Sequence, residues 1–196
     1  MLVQKDRTGD PSLLDLAKAY IKRHFSKPGN VYLGLVHRLD RPVSGVIVFA
    51  RTSKAAARLS EQFREGRVEK IYQAVVEGEI ADRGELEDRI IRSGSSSYVG
   101  KGDAGQLARL SFQRLKSSSN SSLVEINLGT GRHHQIRVQL SNLGYPIVGD
   151  FRYGSKTKYK EGAIALHARS LSITHPTLKE KMTFTSEPDD SWDKLF

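Results

Sequence analysis

Two β-rich stretches, LARLSFQRL (107–115) and SLVEINLG (122–129), face each other across the short polar run SSSNS. A connection this short joins strands antiparallel, because a parallel pair needs a crossover of a dozen residues or more. This hairpin constrains the fold more than any other feature. VEKIYQAVVE (68–77) reads as a further strand bounded by Gly78. RSLSIT and KMTFTS, around His175-Pro176, read as two more, and residues 45–51 as a buried strand. Helices are fewer. Asp10-Pro11 has the pattern of an N-cap and first-turn proline, and Leu13, Leu14, Leu16, Ala17, Tyr20, Ile21 and Phe25 then fall on one helical face. Ser53 is placed to cap a second helix that runs to about Glu65 and stops at Gly66. In GTGRHHQIRVQLSNLG (129–144), Ile136, Leu140 and Leu143 share a face, so a third helix is expected to start just after the Gly-Thr-Gly turn and to end at Gly144. Strands that outnumber helices without alternating with them predict an α+β chain with a largely antiparallel sheet, not a doubly wound one. The Gly/Ser-rich run SGSSSYVGKGDAG (93–105) predicts a mobile loop within an insertion at 82–106.

The 196 residues suit a single domain, 1–196. The net charge of +9 and the pI near 9.8 favour a polyanionic partner, since Lys and Arg gain affinity by releasing phosphate counterions. The chain has no cysteine, which excludes disulfides, thiol catalysis, iron–sulfur clusters and thiolate zinc sites. No stretch has the pattern of a secretory leader or a membrane span, so the expected compartment is the cytoplasm, with no membrane partner.

Chemistry concentrates in VHRLDRPVSGVIVFAR (36–51), where Asp40 lies between Arg38 and Arg41. HRLD resembles a kinase catalytic loop only superficially: no glycine-rich strand loop precedes it and no D-F-G follows. GTGRHHQ lacks the Gly-Lys-Ser/Thr ending of a P-loop. His37, His133, His134 and His167 form no H-E-x-x-H pattern, and His133 and His134, as neighbours on a helix, are expected to point apart. No metal site is expected. A glycosidase-like acid pair would need a second carboxylate, and Asp150, in a turn, is the one available. Arginines beside an acid favour its ionised form, which suits a nucleophile or weak base better than a general acid. Taken alone, an Arg–x–Asp is an ordinary surface ion pair.

The combination of blocks goes further. VHRLDRPVSGVIVFARTSKAAARLSEQF, EKIYQAVVEG, GTGRHHQIRVQLSNLGYPIVGD and LHARSLSITHP resemble, in order and spacing, the RluA-type family of RNA pseudouridine synthases, from about residue 12 to 188. The resemblance implies a pseudouridine synthase fold: a mixed, largely antiparallel sheet with flanking helices and a central RNA-binding cleft. It implies isomerisation of specific uridines in rRNA or tRNA to pseudouridine, with no metal, nucleotide or redox cofactor. It implies Asp40 as catalytic nucleophile or base, Tyr72 as the active-site tyrosine that stacks on the uracil, and Arg137 as the basic partner that orients Asp40. It further implies that Arg38 fills the gap left by a flipped-out uridine. Arg41, Lys70, Arg132, His133, His134 and Gln135 are expected to contact RNA, the last four through a phosphate-favouring helix start.

The chain departs from the family pattern in three places. Val43 stands where a Thr is usual, and His133 where another Thr is common. The usual first strand and an S4-like module are also missing, which suggests an N-terminal truncation. A monomer is expected. The competing reading is a non-catalytic RNA-binding or RNA-folding factor on the same fold, against which Asp40, Tyr72 and Arg137 together argue. A basic nucleic-acid hydrolase would need metal-binding acids or a His-based pair.

Overall fold

The computed structural model describes residues 2–4 and 12–196. The chain forms two compact units. The first comprises residues 1–42, 47–68 and 172–183, and the second residues 43–46, 69–171 and 184–196.

In the first unit, helix α1 (Leu13–His24) starts at Ser12. The Ser12 side chain accepts from the Asp15 N–H while the Asp15 carboxylate accepts from the Ser12 backbone, a reciprocal capping box. The cap expected at Asp10-Pro11 lies outside the described residues. No residue of α1 is buried, and Leu16, Tyr20 and the following Phe25 are exposed, so its apolar stripe is not a core face within this unit. Strand β1 (Gly34–Leu35) pairs antiparallel with β3 (Phe49–Ala50). Between them in sequence lies β2 (Ser44–Gly45), which belongs to the second unit. Helix α2 (Ser53–Arg64) is capped by Thr52, one residue earlier than expected. Its Gln62 holds Thr174 through both ends of its amide, at 2.8 and 2.9 Å.

The expected strand 45–51 is therefore two short pieces with different partners. Gly45 has φ +116, and a Cβ there would lie 2.3 Å from the Ala168 carbonyl oxygen. The backbone turns at that point, and the Val48 N–H goes to His37 Nε2 at 3.0 Å.

The second unit is built on a sheet. β4 (Glu69–Glu77), β5 (Arg83–Ser93), β6 (Ser96–Val99), β7 (Gln106–Ser117) and β8 (Ser121–Leu128) are followed by α3 (Gln135–Asn142), β9 (Leu166–Thr174) and β10 (Lys181–Thr185). The strand order is β10-β9-β4-β8-β7-β5-β6, and β2 pairs parallel with β9, Ser44 against His167 and Gly45 against Ala168. The chain passes between the units within β9 and within β10. The pairs β4–β8, β8–β7, β7–β5 and β5–β6 are all antiparallel, which bears out the largely antiparallel α+β expectation.

The 82–106 stretch is not a loop. Leu86 and Ile90 recur on the face of β5 that pairs with Leu110 and Gln106 of β7, and the chain turns back at Gly94-Ser95 into β6. The Gly/Ser-rich run thus covers the 94–95 turn, β6 itself and the connection at 100–105. The sheet packs Ala74, Val76, Leu110, Phe112, Val124 and Ile126 against Ile136 and Leu140 of α3. Val43, the departure from the usual Thr, has its side chain against this core.

Gly45→Ala adds a Cβ against backbone in a conformation that disfavours side chains. It is expected to cost about 3 kcal/mol or more of stability, read as a lower urea midpoint, whereas Gly66→Ala, with φ +69 but open space around it, costs about 1 kcal/mol.

Candidate active site

The Asp40 segment leaves β1 and returns through β2. Its upstream end is fixed by His37, whose ring stacks on Phe63 at 4.6 Å and accepts the Val48 N–H. Downstream, the Ser44 hydroxyl lies 2.8 Å from His167 Nδ1, and His167 Nε2 lies 3.0 Å from the Ser186 carbonyl. A carbonyl only accepts, so Nε2 carries the proton and Nδ1 accepts from Ser44. Burial lowers the His167 pKa and favours this neutral form. The motif loop is thus clamped by two histidines, neither held in a metal-like cluster. Among the described residues no three potential ligands gather. Asp40 is half-buried between the exposed Arg38 and Arg41.

In the second unit, Tyr72 lies on β4 opposite Ile126 and packs, half-buried, against the main core. Lys70, two residues earlier on the same face, donates to the Thr130 carbonyl at 3.0 Å. Burial and then the nearby Arg132 charge lower its pKa to about 8, so it stays mostly protonated at neutral pH.

Helix α3 starts later than expected. His134 has φ +55 and precedes it, and only Gln135 begins it. Because His133 and His134 are not on the helix, their rings do not diverge as expected: they stack at 3.8 Å. Gln135, expected among the RNA contacts, is 3% exposed. Its carbonyl accepts from the Thr130 hydroxyl and the Arg132 N–H, and its amide donates to the Arg109 carbonyl and to Gln139. Its side chain therefore braces the Gly-Thr-Gly turn from inside, and leaves Arg132 exposed on it.

Arg137 is 5% exposed and Asp150 1%. They form a bidentate pair, Nε to Oδ2 at 2.6 Å and Nη2 to Oδ1 at 2.8 Å. The turn that carries Asp150 is tied back to β4: the Ser155 hydroxyl and the Lys156 and Thr157 N–H groups all donate to Glu77, each at 2.7 Å. The Tyr153 ring lies on the Arg137 guanidinium, 4.9 Å from Cζ to the ring centre. The sequence reading placed Asp150 in a turn but missed its pairing with Arg137, and missed Tyr153 altogether. A guanidinium on the inner face of a helix was the available signal, since such a group needs an acid.

Burial, with the Arg137, His133 and Arg152 charges nearby, lowers the His134 pKa from 6.5 to about 3. His134 is therefore neutral at physiological pH and acts as a plane and an acceptor, not as a cation for phosphate.

Residues 1–142 match the RNA pseudouridylate synthase family. The chain belongs to that family. It is 36% identical to the tRNA pseudouridine synthase C of Haemophilus ducreyi over 187 residues, which covers 85% of this chain and 77% of that protein. It is likewise 36% identical to the dual-specificity RNA pseudouridine synthase RluA of Haemophilus influenzae, covering 91% and 82%. With the ribosomal large subunit pseudouridine synthase C of Buchnera aphidicola it shares 35% identity over 83% of this chain but only 55% of that protein. Of some curated relatives, then, the chain spans about half the length. Among solved structures, human RNA pseudouridylate synthase domain containing 4 superposes with a TM-score of 0.81 at 25% identity, covering 98% of this chain and 84% of that one. Pseudouridylate synthases isomerise uridine in RNA, which bears out the family expectation.

Removing one partner of the buried pair should be costly. Asp150→Ala is expected to lose about 3–5 kcal/mol in urea denaturation, and Arg137→Met with Asp150→Leu to recover most of it. A second expectation concerns acid. Between pH 6.5 and 3 the unfolded chain binds a proton at His134 that the folded chain does not, so stability falls as pH drops through that window. The gap between urea midpoints at pH 7 and pH 4.5 should shrink in His134→Asn.

Proposed function

We propose that this chain converts uridine within tRNA or rRNA to pseudouridine, with Asp40 as the reacting carboxylate. The observation that carries this reading is that the family match over residues 1–142 contains Asp40, Tyr72 and Arg137 together. An inactive binding factor would have no need of all three. The reaction is an isomerisation. The N1–C1′ bond breaks, a C5–C1′ bond forms, and the C5 proton is exchanged for one on N1, so no oxidant or group donor enters. Asp40 attacks or deprotonates the nucleotide. Tyr72 offers a ring for the uracil, a role supported by its half-buried setting on a rigid strand. Arg137 is the basic group assigned to the reaction, and its burial supports a fixed orientation.

Extruding a base costs on the order of a few kcal/mol, and an arginine plane can replace part of the lost stacking. Arg38 takes that part, and its exposure is consistent with it. Arg41, Arg132 and Lys70 supply charge for the backbone. His133 and His134, stacked on each other and next to Arg132 in the chain, are assigned to the same contact. The relatives' names include both tRNA and large-subunit rRNA enzymes, which supports one of those two RNAs as substrate. We take the protein to work in the cytoplasm as a monomer without a cofactor. No helix among the described residues is long and apolar enough to cross a membrane.

Incubation with total RNA followed by mapping of carbodiimide-dependent reverse-transcription stops tests the activity. New stops are expected with the unaltered protein and none with Asp40→Asn, which should still bind RNA. Stops that persist in Asp40→Asn would remove Asp40 from the chemistry, and their absence with every RNA would favour the binding factor. Binding should also weaken as salt rises, with a shallower dependence in Arg132→Ala, because each lost phosphate contact releases fewer counterions.

A further inference from the structure

Tyr153 is used by no step above, yet it joins four elements of the second unit. Its ring covers the Arg137 guanidinium. Its hydroxyl accepts from the Ser97 N–H at 2.9 Å and lies 2.6 Å from His134 Nδ1. With Ser97 donating, the phenol proton is available to His134, whose neutral ring accepts it. The His134 ring also meets the Tyr153 ring edge-on. Ser97 is on β6, and its own hydroxyl lies 2.8 Å from His133 Nδ1. Next to Tyr153, Arg152 donates to the Ser95 carbonyl in the β5–β6 turn at 2.5 Å. Three contacts therefore fasten the tip of the β5–β6 hairpin to the segment that holds Arg137.

The bidentate bond to Asp150 fixes the edge of the guanidinium. The Tyr153 ring adds a contact on the guanidinium face, and a cation on an aromatic face is itself favourable. The hydroxyl matters because it fixes the ring. Without it, the phenyl group could rotate or slide from its place.

We propose that Tyr153 is a positioning residue for Arg137, and that its hydroxyl makes this positioning depend on a docked β5–β6 hairpin. The inference rests on the role proposed for Arg137. Of the three contacts at the hairpin tip, the Ser97–Tyr153 bond is the one whose side chain also lies on the Arg137 guanidinium.

The test compares Tyr153→Phe and Tyr153→Leu in the full chain, with kcat and KM measured on the RNA that the stop mapping identifies. Tyr153→Phe keeps the ring and should lower kcat roughly threefold to tenfold. Tyr153→Leu loses ring and hydroxyl and should lower it a further tenfold or so. kcat should fall by more than KM rises in both, since Tyr153 reaches the RNA side only through His134 while its ring lies on Arg137 itself. Nitrogen-15 NMR of the Arg137 Nε–H provides a readout independent of activity. Its slow solvent exchange should be largely kept in Tyr153→Phe and lost in Tyr153→Leu. A raised KM with unchanged kcat would make Tyr153 an RNA contact and overturn the proposal. A lowered Tm with unchanged kcat and unchanged Arg137 exchange would make it packing alone, and overturn it equally. If the unaltered protein forms no pseudouridine, the functional reading fails, and the exchange rates alone decide whether Tyr153 holds Arg137.

Discussion

The buried Arg137–Asp150 pair is the interaction on which the second unit's arrangement depends. An ion taken out of water costs several kcal/mol unless an opposite charge and good hydrogen bonds replace its hydration. Here both Asp150 oxygens accept from the guanidinium. Satisfying that pair requires the inner face of α3 and the 150–157 turn to meet in one geometry. The turn is in turn held by Glu77 at the end of β4. Tyr72, on the same strand, is thus tied through backbone and hydrogen bonds to the arginine's placement.

The histidines follow a related logic. His37, His134 and His167 each have a ring nitrogen engaged by a partner within their own unit. For His134 and His167, burial favours the neutral ring. Their hydrogen bonds orient the backbone and side chains they touch. The excess positive charge of the chain is carried by arginines and lysines.

Much of the fold was legible because its signals are local. The hairpin across SSSNS, the Gly66 and Gly144 helix ends and the β4 run all lie within a few residues of the features that announce them. Misreadings arose where partners are distant. Residues 45–51 look like one strand, yet Gly45 turns the backbone so that β2 joins β9 and β3 joins β1. The 93–105 composition looks like a loop, yet Ser96–Val99 within it forms β6 by pairing with Ile90–Ser93 of β5. His133 and His134 were read on a helix that begins only at Gln135.

The order of the motif blocks, and with it the family and the antiparallel sheet, was determined by the amino-acid sequence alone. Those are matters of residue type and spacing along the chain. Only the tertiary structure decided that Asp150 neutralises Arg137, that Tyr153 covers its face, that Gln135 turns inward and that His134 is uncharged. Each of these depends on which distant groups exclude water from a side chain, and solvent exclusion is a property of packing in three dimensions that no spacing encodes.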